Sequence, residues 1–259
     1  MYFESHAHYD DRRFDKDRHD LLKECKEAGV EYIINAGADM RSTKTGIRLA
    51  EQYDFLYASV GVHPHSAKTL DETSFTELTR LAEAPRVVAI GEIGLDFYRD
   101  NSPRDVQRKW FERQLELAKE AGLPAIIHSR DACQEVYDML KNANLSQREG
   151  RGVGVIHCFS GSPQMAWKYV ALGYLIGIAG PVTYKNARKI VETVEILPLE
   201  QILIETDCPY LTPEPFRGDR NDSQMLKFIC EKIGQIKQIS PEKVAEITMK
   251  NGKALFDIK

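Results

Sequence analysis

Eight short runs of apolar and β-branched residues recur along this chain of 259 residues, and amphipathic stretches separate them. The runs occupy residues 2–5, 31–36, 55–60, 87–91, 125–128, 153–157, 174–178 and 201–205. Several of the intervening stretches have the apolar spacing of surface helices, as at residues 17–28, 105–121, 132–142 and 163–172. Strands that alternate with helices form parallel sheets, and eight such units close into a barrel. The sequence therefore predicts an α/β fold, specifically a (β/α)8 TIM barrel.

The length of the chain fits one such barrel, which typically takes about 250 residues. No low-complexity linker interrupts the sequence, so we expect a single domain over residues 1–259. Two further helical stretches, at residues 221–237 and 241–256, close the chain.

Charge and composition exclude several classes of function. The formal net charge of −4 argues against a general binder of polyanions. The first residues carry neither a basic leader nor a long apolar core, and no apolar run approaches the roughly 18 residues of a membrane span, so neither a signal peptide nor a membrane protein is expected. The five cysteines are odd in number and never spaced C-x-x-C, which predicts a reduced, cytoplasmic location.

Six of the seven histidines lie in four motifs that follow apolar runs. These motifs are E-S-H-A-H at 4–8, G-V-H-P-H at 61–65, I-I-H-S-R at 126–130 and V-I-H-C-F at 155–159, and carboxylates stand in the same setting in G-E-I-G-L-D at 91–96 and I-E-T-D-C-P at 204–209. Active sites of TIM barrels lie at the carboxyl ends of the strands. Histidine and carboxylate are ligands of divalent metals. The placement predicts a metal-dependent hydrolase.

Five residues are the main candidates for metal ligands. His6 and His8 are two apart, so a strand places both on one face, where they can chelate one ion. Glu92 supplies a carboxylate, which can bridge two cations. His128 and His157 end adjacent strands and face Glu92. Taken singly, these residues also fit surface histidines, a rim salt bridge or buried core histidines, but their common position favours ligation.

The end of strand eight adds two carboxylates. Asp207 and Glu205 share one face there, and Asp207 lies nearer the barrel mouth, so we predict that it is a metal ligand and proton acceptor. Glu205 is expected to lie behind the ligands. Cys158 neighbours His157 and is expected to point to the opposite face. Asp96 is compatible with two roles, holding a loop or holding a histidine.

Two further elements are candidates for substrate contacts. His63 follows strand three and is predicted to polarise the substrate or hold its phosphate, whereas a structural role fits His65 equally well. The proline-rich loop T-P-E-P-F-R-G-D-R-N at 212–221 places Arg217 and Arg220 near the mouth. Arginine suits phosphate recognition, although solvated rim charge is an equal alternative for Arg220.

Together these motifs resemble a known family. S-H-A-H, G-V-H-P, G-E-I-G-L-D-F-Y, H-S-R-D-A, H-C-F-S-G, G-P-V-T-Y-K, E-T-D-C-P-Y-L-T-P and P-F-R-G-x-R-N look like those of the TatD metal-dependent deoxyribonucleases, which are amidohydrolase-like barrels. The family usually has aspartate two residues before the H-x-H, where this chain has Glu4.

The resemblance implies a centre of two divalent cations, whether Zn²⁺, Mg²⁺ or Mn²⁺. It assigns His6, His8 and Asp207 to one ion, His128 and His157 to the other, and the bridging position to Glu92. It also implies that Asp207 and Glu92 are catalytic and that His63, Arg217 and Asn221 contact the substrate.

The sequence is compatible with two enzymatic functions. The resemblance implies a deoxyribonuclease that cleaves phosphodiester bonds of DNA, as a 3′-to-5′ exonuclease on single strands or strand ends. The alternative is a metal-dependent hydrolase of a small-molecule or aminoacyl ester or amide. The complete ligand set argues against a metal-binding protein without catalysis. Neither a membrane nor an obligate protein partner is implied.

Overall fold

Eight parallel strands form one sheet whose order follows the chain. The computed structural model describes residues 1–145 and 152–259. The strands are β1 Tyr2–Ala7, β2 Val30–Asn35, β3 Leu56–Val60, β4 Val87–Asp96, β5 Ala125–Arg130, β6 Gly154–Ile156, β7 Tyr174–Ile178 and β8 Ile202–Ile204. The backbone N–H of Asp207 donates to the carbonyl of His6 at 3.0 Å, and that of His8 donates to the carbonyl of Cys208 at 2.8 Å. The segment after β8 therefore pairs with β1, and the predicted TIM barrel is confirmed.

Helices connect the strands and surround the barrel. They are α1 Arg18–Glu27, α2 Met40–Gln52, α3 Glu72–Leu81, α4 Arg104–Ala121, α5 Cys133–Ala143, α6 Pro163–Ala171, α7 Arg188–Ile196, α8 Leu226–Lys237 and α9 Pro241–Phe256. Local sequence sets several of their ends. Asp39 caps the start of α2 with a capping box, in which its side chain accepts a hydrogen bond from the backbone N–H of Ser42. Gly122, with φ of 63°, ends α4 in the left-handed conformation that glycine adopts without steric cost.

An apolar cluster fills one part of the barrel. It takes one side chain from each of seven strands, namely Phe3, Ile34, Ala89, Ile126, Val155, Leu175 and Leu203. The end of α9 packs against this cluster, and the Phe256 ring stacks on Phe3 with centroids 5.9 Å apart. Full burial of a phenylalanine side chain stabilises a fold by about 2 kcal/mol. This packed end leaves the opposite, carboxyl-terminal end of the strands for polar side chains.

Three strands extend further at their carboxyl ends than the sequence predicted, and one of them is β5, which continues to Arg130. β1 continues to Ala7 and includes His6, and β4 continues to Asp96, so Glu92 lies within β4 and not at its end. The pairing of β4 with β5 shifts register between Ile90 and Ile93. Such an irregularity redirects a side chain, which explains how Glu92 faces the centre from inside a strand.

No helix among the described residues has the length and apolarity that crossing a membrane requires.

Candidate metal centre

Four side chains meet at the mouth beside β1. The Nε2 atoms of His6 and His8 are 3.1 Å apart. Asp207 Oδ1 lies 3.4 Å from His8 Nε2, and Glu92 Oε2 lies 3.4 Å from His6 Nε2. Donor atoms about 2.0–2.2 Å from one tetrahedral ion stand roughly 3.3–3.6 Å from one another. The spacing and the donor chemistry of this group, the β1 group, therefore fit a divalent cation.

Three histidine nitrogens surround the other oxygen of the same glutamate. His128 Nδ1 lies 2.8 Å from Glu92 Oε1, His63 Nε2 lies 3.4 Å from it, and His157 Nε2 lies 3.7 Å from it. We call these side chains the β5–β6 group, because His128 and His157 come from β5 and from the end of β6. The structure thus brings together all six residues that the sequence predicted as ligands, and it places His63 among them.

Glu92 joins the two groups through separate atoms. Its Oε2 faces the β1 group and its Oε1 faces the β5–β6 group. The side chain is only 5% exposed. Burial alone would raise the pKa of Glu92, but the charges of His63 and His157 and hydrogen bonds from His128 and His6 hold that pKa well below its usual range. Glu92 is therefore ionised at neutral pH, as a ligand shared by two cations requires.

In three of the histidines, the ring nitrogen that points away from the centre lies close to an oxygen. His8 Nδ1 lies 3.1 Å from the carbonyl of Ala36, His128 Nε2 lies 3.2 Å from Asp96 Oδ2, and His157 Nδ1 lies 2.9 Å from Glu205 Oε1. Contacts of this kind fix the orientation and tautomer of metal-binding histidines. Glu205 thus lies behind the ligands, as the sequence predicted. Asp96 contacts a histidine and also accepts backbone hydrogen bonds from the following loop, so it combines both of the roles left open for it.

Two residues at strand ends have left-handed backbone conformations. Asp207 has φ of 55° and Cys158 has φ of 43°. The side chain of Asp207 is 15% exposed, which gives it access to water at the mouth. Burial raises the pKa of Asp207, but the hydrogen bond from His8 and the charges of His157 and His8 outweigh burial and lower it.

The expectation for Cys158 was wrong. A positive φ interrupts strand alternation, so the side chain does not point away from the centre. The Cys158 Sγ atom, a ring nitrogen of His157 and a carboxylate oxygen of Asp207 all lie within 4.8 Å of one another. Strand alternation therefore does not extend past Ile156, where β6 ends.

Glu4 links the first strand of the barrel, β1, to the segment that follows the last strand, β8. Its carboxyl group accepts hydrogen bonds from the Thr206 backbone at 2.8 Å, the Thr206 hydroxyl at 2.5 Å and the His6 backbone at 3.3 Å. Burial raises its pKa to about 8, although these hydrogen bonds oppose the shift. Glu4 therefore connects the strand that carries His6 to the segment that carries Asp207.

His63 and His65 differ in their surroundings. His63 is 8% exposed, and its Nδ1 accepts a hydrogen bond from the backbone N–H of His65 at 3.0 Å. Burial lowers the pKa of His63 to about 4, so the ring is neutral and carries its proton on Nε2, which faces Glu92. His65 Nε2 lies 2.7 Å from Asp96 Oδ2 at the edge of the site.

The loop after β8 separates three residues that the sequence grouped. Arg217 is exposed, and its guanidinium carbon lies 4.3 Å from the centroid of the Tyr184 ring. Arg220 instead pairs with Asp17 at 2.5 Å, as a rim salt bridge. Asn221 is fully buried, and its amide donates to the carbonyls of Thr206 and Tyr210. Asn221 therefore holds the loop in place, which differs from the direct substrate contact expected for it.

Sequence reasoning missed a set of aromatic side chains around the mouth. Tyr98, Tyr184 and Tyr210 each lie on a loop after a strand, and each carries an arginine on its ring. The guanidinium carbons of Arg130, Arg217 and Arg13 lie 4.2, 4.3 and 4.1 Å from the respective ring centroids. The motif G-P-V-T-Y-K contained Tyr184, but its partner is 33 positions later in the sequence, and only the fold brings the two together.

Known proteins share the fold and sequence of this chain. The family model described as TatD related DNase matches residues 3–257. The uncharacterized metal-dependent hydrolase YabD of Bacillus subtilis is 41% identical over 258 residues, covering 100% of both chains. The 3′-5′ ssDNA/RNA exonuclease TatD of Rahnella sp. is 35% identical over 250 residues and 94% of each chain. The crystal structure of YJJV, a TatD homologue from Escherichia coli, matches with a TM-score of 0.92 at 32% identity, covering 100% of this chain and 98% of that one.

The barrel, its donor cluster and these relatives identify a metal-dependent hydrolase. The chain belongs to the TatD family.

Proposed function

We propose that this protein is a two-metal phosphodiesterase that hydrolyses single-stranded DNA from its 3′ end, acting as a single domain. One observation carries the proposal: Glu92 presents a different oxygen to each of two donor groups. His6, His8 and Asp207 would hold one divalent cation, His128 and His157 would hold the other, and Glu92 would contact both. Cations bound there would stabilise negative charge on a phosphoryl group and lower the pKa of a nearby water.

The protein residues supply the remaining chemistry. Asp207 is ionised and partly exposed, so it accepts the proton of the attacking water on its carboxylate. Its lowered pKa makes it a weak base, which suits a water whose own pKa has been lowered. His63 is neutral with its proton on Nε2, which lies 3.4 Å from Glu92 Oε1 beside the centre, and this N–H would donate to a non-bridging oxygen of a phosphate bound there.

The surroundings of the centre favour a single strand of nucleic acid as substrate. Proteins that bind single strands combine aromatic surfaces for base stacking with cationic groups for the backbone. Three tyrosine–arginine pairs at the mouth provide both. The relative from Rahnella sp. is named as a 3′-5′ ssDNA/RNA exonuclease, which is consistent with this substrate and polarity.

Cleavage of end-labelled oligonucleotides tests the proposal. With Mn²⁺ or Mg²⁺ added, a 5′-labelled single strand should shorten stepwise, whereas a 3′-labelled strand should release labelled mononucleotide at once. Duplex DNA and single-stranded RNA serve as comparison substrates, and Asp207→Asn serves as the inactive control. If no strand is cleaved while an aryl or aminoacyl ester is hydrolysed with the same metal requirement, the small-molecule hydrolase is correct instead.

A further inference from the structure

A cavity of about 510 Å³ lies between the loops that follow β6 and β7. We call it the β6–β7 cavity. Its lining includes Cys158, Phe159, Val182, Tyr184, Ile190 and Arg217. Its volume is within the range of about 300–1,000 Å³ that is usual for small-ligand sites.

The inner end of this cavity reaches the metal centre. Cys158 lines the cavity, and its ligand atom lies within 4.8 Å of those of His157 and Asp207. A phosphate held at the centre would therefore have its neighbouring chemical group at the cavity entrance. The β6–β7 cavity is thus continuous with the site of the proposed reaction.

The walls combine an aromatic surface with cationic groups. The Tyr184 hydroxyl donates to the carbonyl of Thr212 at 3.0 Å, which fixes the orientation of the ring. The Arg217 guanidinium lies over that ring, 4.3 Å from its centroid. Arg188 and Lys189 are exposed on the rim at the start of α7, where Arg188 also pairs with Glu192 at 2.8 Å. Tyrosine rings and guanidinium planes both stack on flat heterocycles.

We infer that the β6–β7 cavity binds the base of the nucleotide next to the scissile phosphate. This inference rests on the proposed nuclease function and names a binding subsite for its substrate. An acyl or alkyl group would fit the apolar wall but would make no use of a stacked arginine and a cationic rim. A nucleotide uses the apolar wall, the stacked arginine and the cationic rim. Its base is a flat ring that can lie against the wall and the guanidinium plane, and its phosphates are anionic.

The cavity favours a base without specifying which one. Val182 and Ile190 are buried and offer only apolar contact, and Tyr184 offers the face of its ring. Every base has a π-face, so stacking of this kind accepts all four bases. Asn186 is the uncharged amide in the lining and is exposed, so it can contact the edge of a base only at the rim.

The test compares two phosphates that differ only by a base. Deoxyadenosine monophosphate and deoxyribose 5-phosphate are used as competitors of oligonucleotide cleavage by the metal-loaded protein. The wild-type protein should be inhibited about tenfold more strongly by the nucleotide, which is a typical effect of stacking one base. Binding is followed independently by the fluorescence of 2-aminopurine deoxyriboside monophosphate, which should fall when its base stacks.

Four variants localise the effect. Tyr184→Phe keeps the ring and should keep the tenfold preference and the quenching. Tyr184→Ala removes the ring, and Ala187→Trp fills the cavity from the start of α7, so both should abolish the preference and the quenching. Lys185→Ala is the matched control, because Lys185 is exposed on the same loop and does not line the cavity. Metal content and circular dichroism of each variant show whether it is folded, and Ala187→Trp decides the matter if Tyr184→Ala does not fold.

Three outcomes overturn the inference. In the first, the wild-type protein cleaves DNA but is inhibited equally by both phosphates. In the second, the preference survives in Tyr184→Ala and Ala187→Trp. Failure of the nuclease proposal gives a different result, namely no cleavage of any oligonucleotide by the wild-type protein. Loss of aryl-ester hydrolysis in Tyr184→Ala, with equal inhibition by the two phosphates, would assign the cavity to a small-molecule substrate and would also refute base binding.

Discussion

Glu92 has a role that no other residue of the centre shares. Each histidine ring turns one nitrogen toward the centre, whereas Glu92 turns one oxygen toward each donor group. The loss of Glu92 therefore affects both groups, while the loss of a histidine affects one. Carboxylate ligands also provide the negative charge that compensates two dications in a buried site.

We expect Glu92→Ala to weaken both metal sites and to abolish activity, and His128→Ala to weaken mainly one. The reason is the shared position of Glu92 between the β1 group and the β5–β6 group. Calorimetric titration with Mn²⁺, together with elemental analysis, measures both effects. Unchanged binding of two ions by Glu92→Ala would show that Glu92 is not a bridge. His19→Ala is a suitable control, because His19 lies on α1 and contacts Tyr53.

Asp207→Asn should retain the fold and lose turnover by about 100-fold or more. Asparagine preserves the shape of the side chain but cannot accept the proton of the attacking water, and general-base catalysis typically contributes this much or more. The measurement is kcat at saturating metal, with metal content confirmed. A rate close to wild type would transfer the role of base to another group, for which Glu205 is the nearest carboxylate behind His157.

At the scale of the secondary-structure elements, the ends of the strands determine the site. Strands β1, β5 and β6 place histidines at the carboxyl-terminal end of the barrel. Strand β7 places a glycine, Gly177, beside the carboxylate of Glu205. An added Cβ on Gly177 of β7 would lie 2.7 Å from Glu205 Oε2 and 2.9 Å from Oε1. Real Cβ contacts are not this short, so only glycine leaves room for the carboxylate that orients His157.

Gly177→Ala should therefore weaken metal binding by about tenfold or more, which is typical for the loss of a group that orients a metal-binding histidine. The physical cause is displacement of the Glu205 carboxylate from His157. A double-mutant cycle isolates this cause: in a Glu205→Ala background the same glycine substitution should have little further effect. Equal effects of Gly177→Ala in both backgrounds would point to a general disturbance of β7. Titration with Zn²⁺ provides the measurement.

Much of this arrangement could be predicted from the sequence. Alternating apolar runs identified eight strands, and the carboxyl-end rule for barrels then placed six ligand candidates together. The exact setting of Glu92 could not be predicted, because it depends on a register shift inside β4. The direction of Cys158 and the buried position of Asn221 depend on a left-handed residue and on loop packing, which strand periodicity does not describe. Tyr184 was missed because its arginine partner is distant in sequence.

At the scale of the whole molecule, positive charge is local. The formal net charge is −4, yet the three arginines that stack on tyrosines all lie at the carboxyl end of a strand or in a segment that follows one. One of them, Arg13, also pairs with Asp11 at 3.1 Å. A substrate strand would therefore meet few cationic contacts, all of them at the mouth.

The salt dependence of DNA binding should accordingly be moderate. With about three phosphate contacts and a slope of roughly −0.7 per contact for single strands, KM should rise roughly tenfold to twentyfold between 50 and 200 mM salt. Arg217→Gln should reduce the slope by about 0.7. Steady-state kinetics over a salt series measures both values. A slope that Arg217→Gln leaves unchanged would show that this side chain does not contact the strand.

Anomalous diffraction from crystals of the Mn²⁺-loaded protein would show directly whether two cations share Glu92. We expect two peaks, one beside His6 and His8 and one beside His128 and His157, with the Glu92 carboxylate between them. The protein should be saturated with metal before data collection, because hard divalent ions exchange readily. A single peak at saturating Mn²⁺, or a second peak that Glu92 does not contact, would show that Glu92 does not bridge two cations.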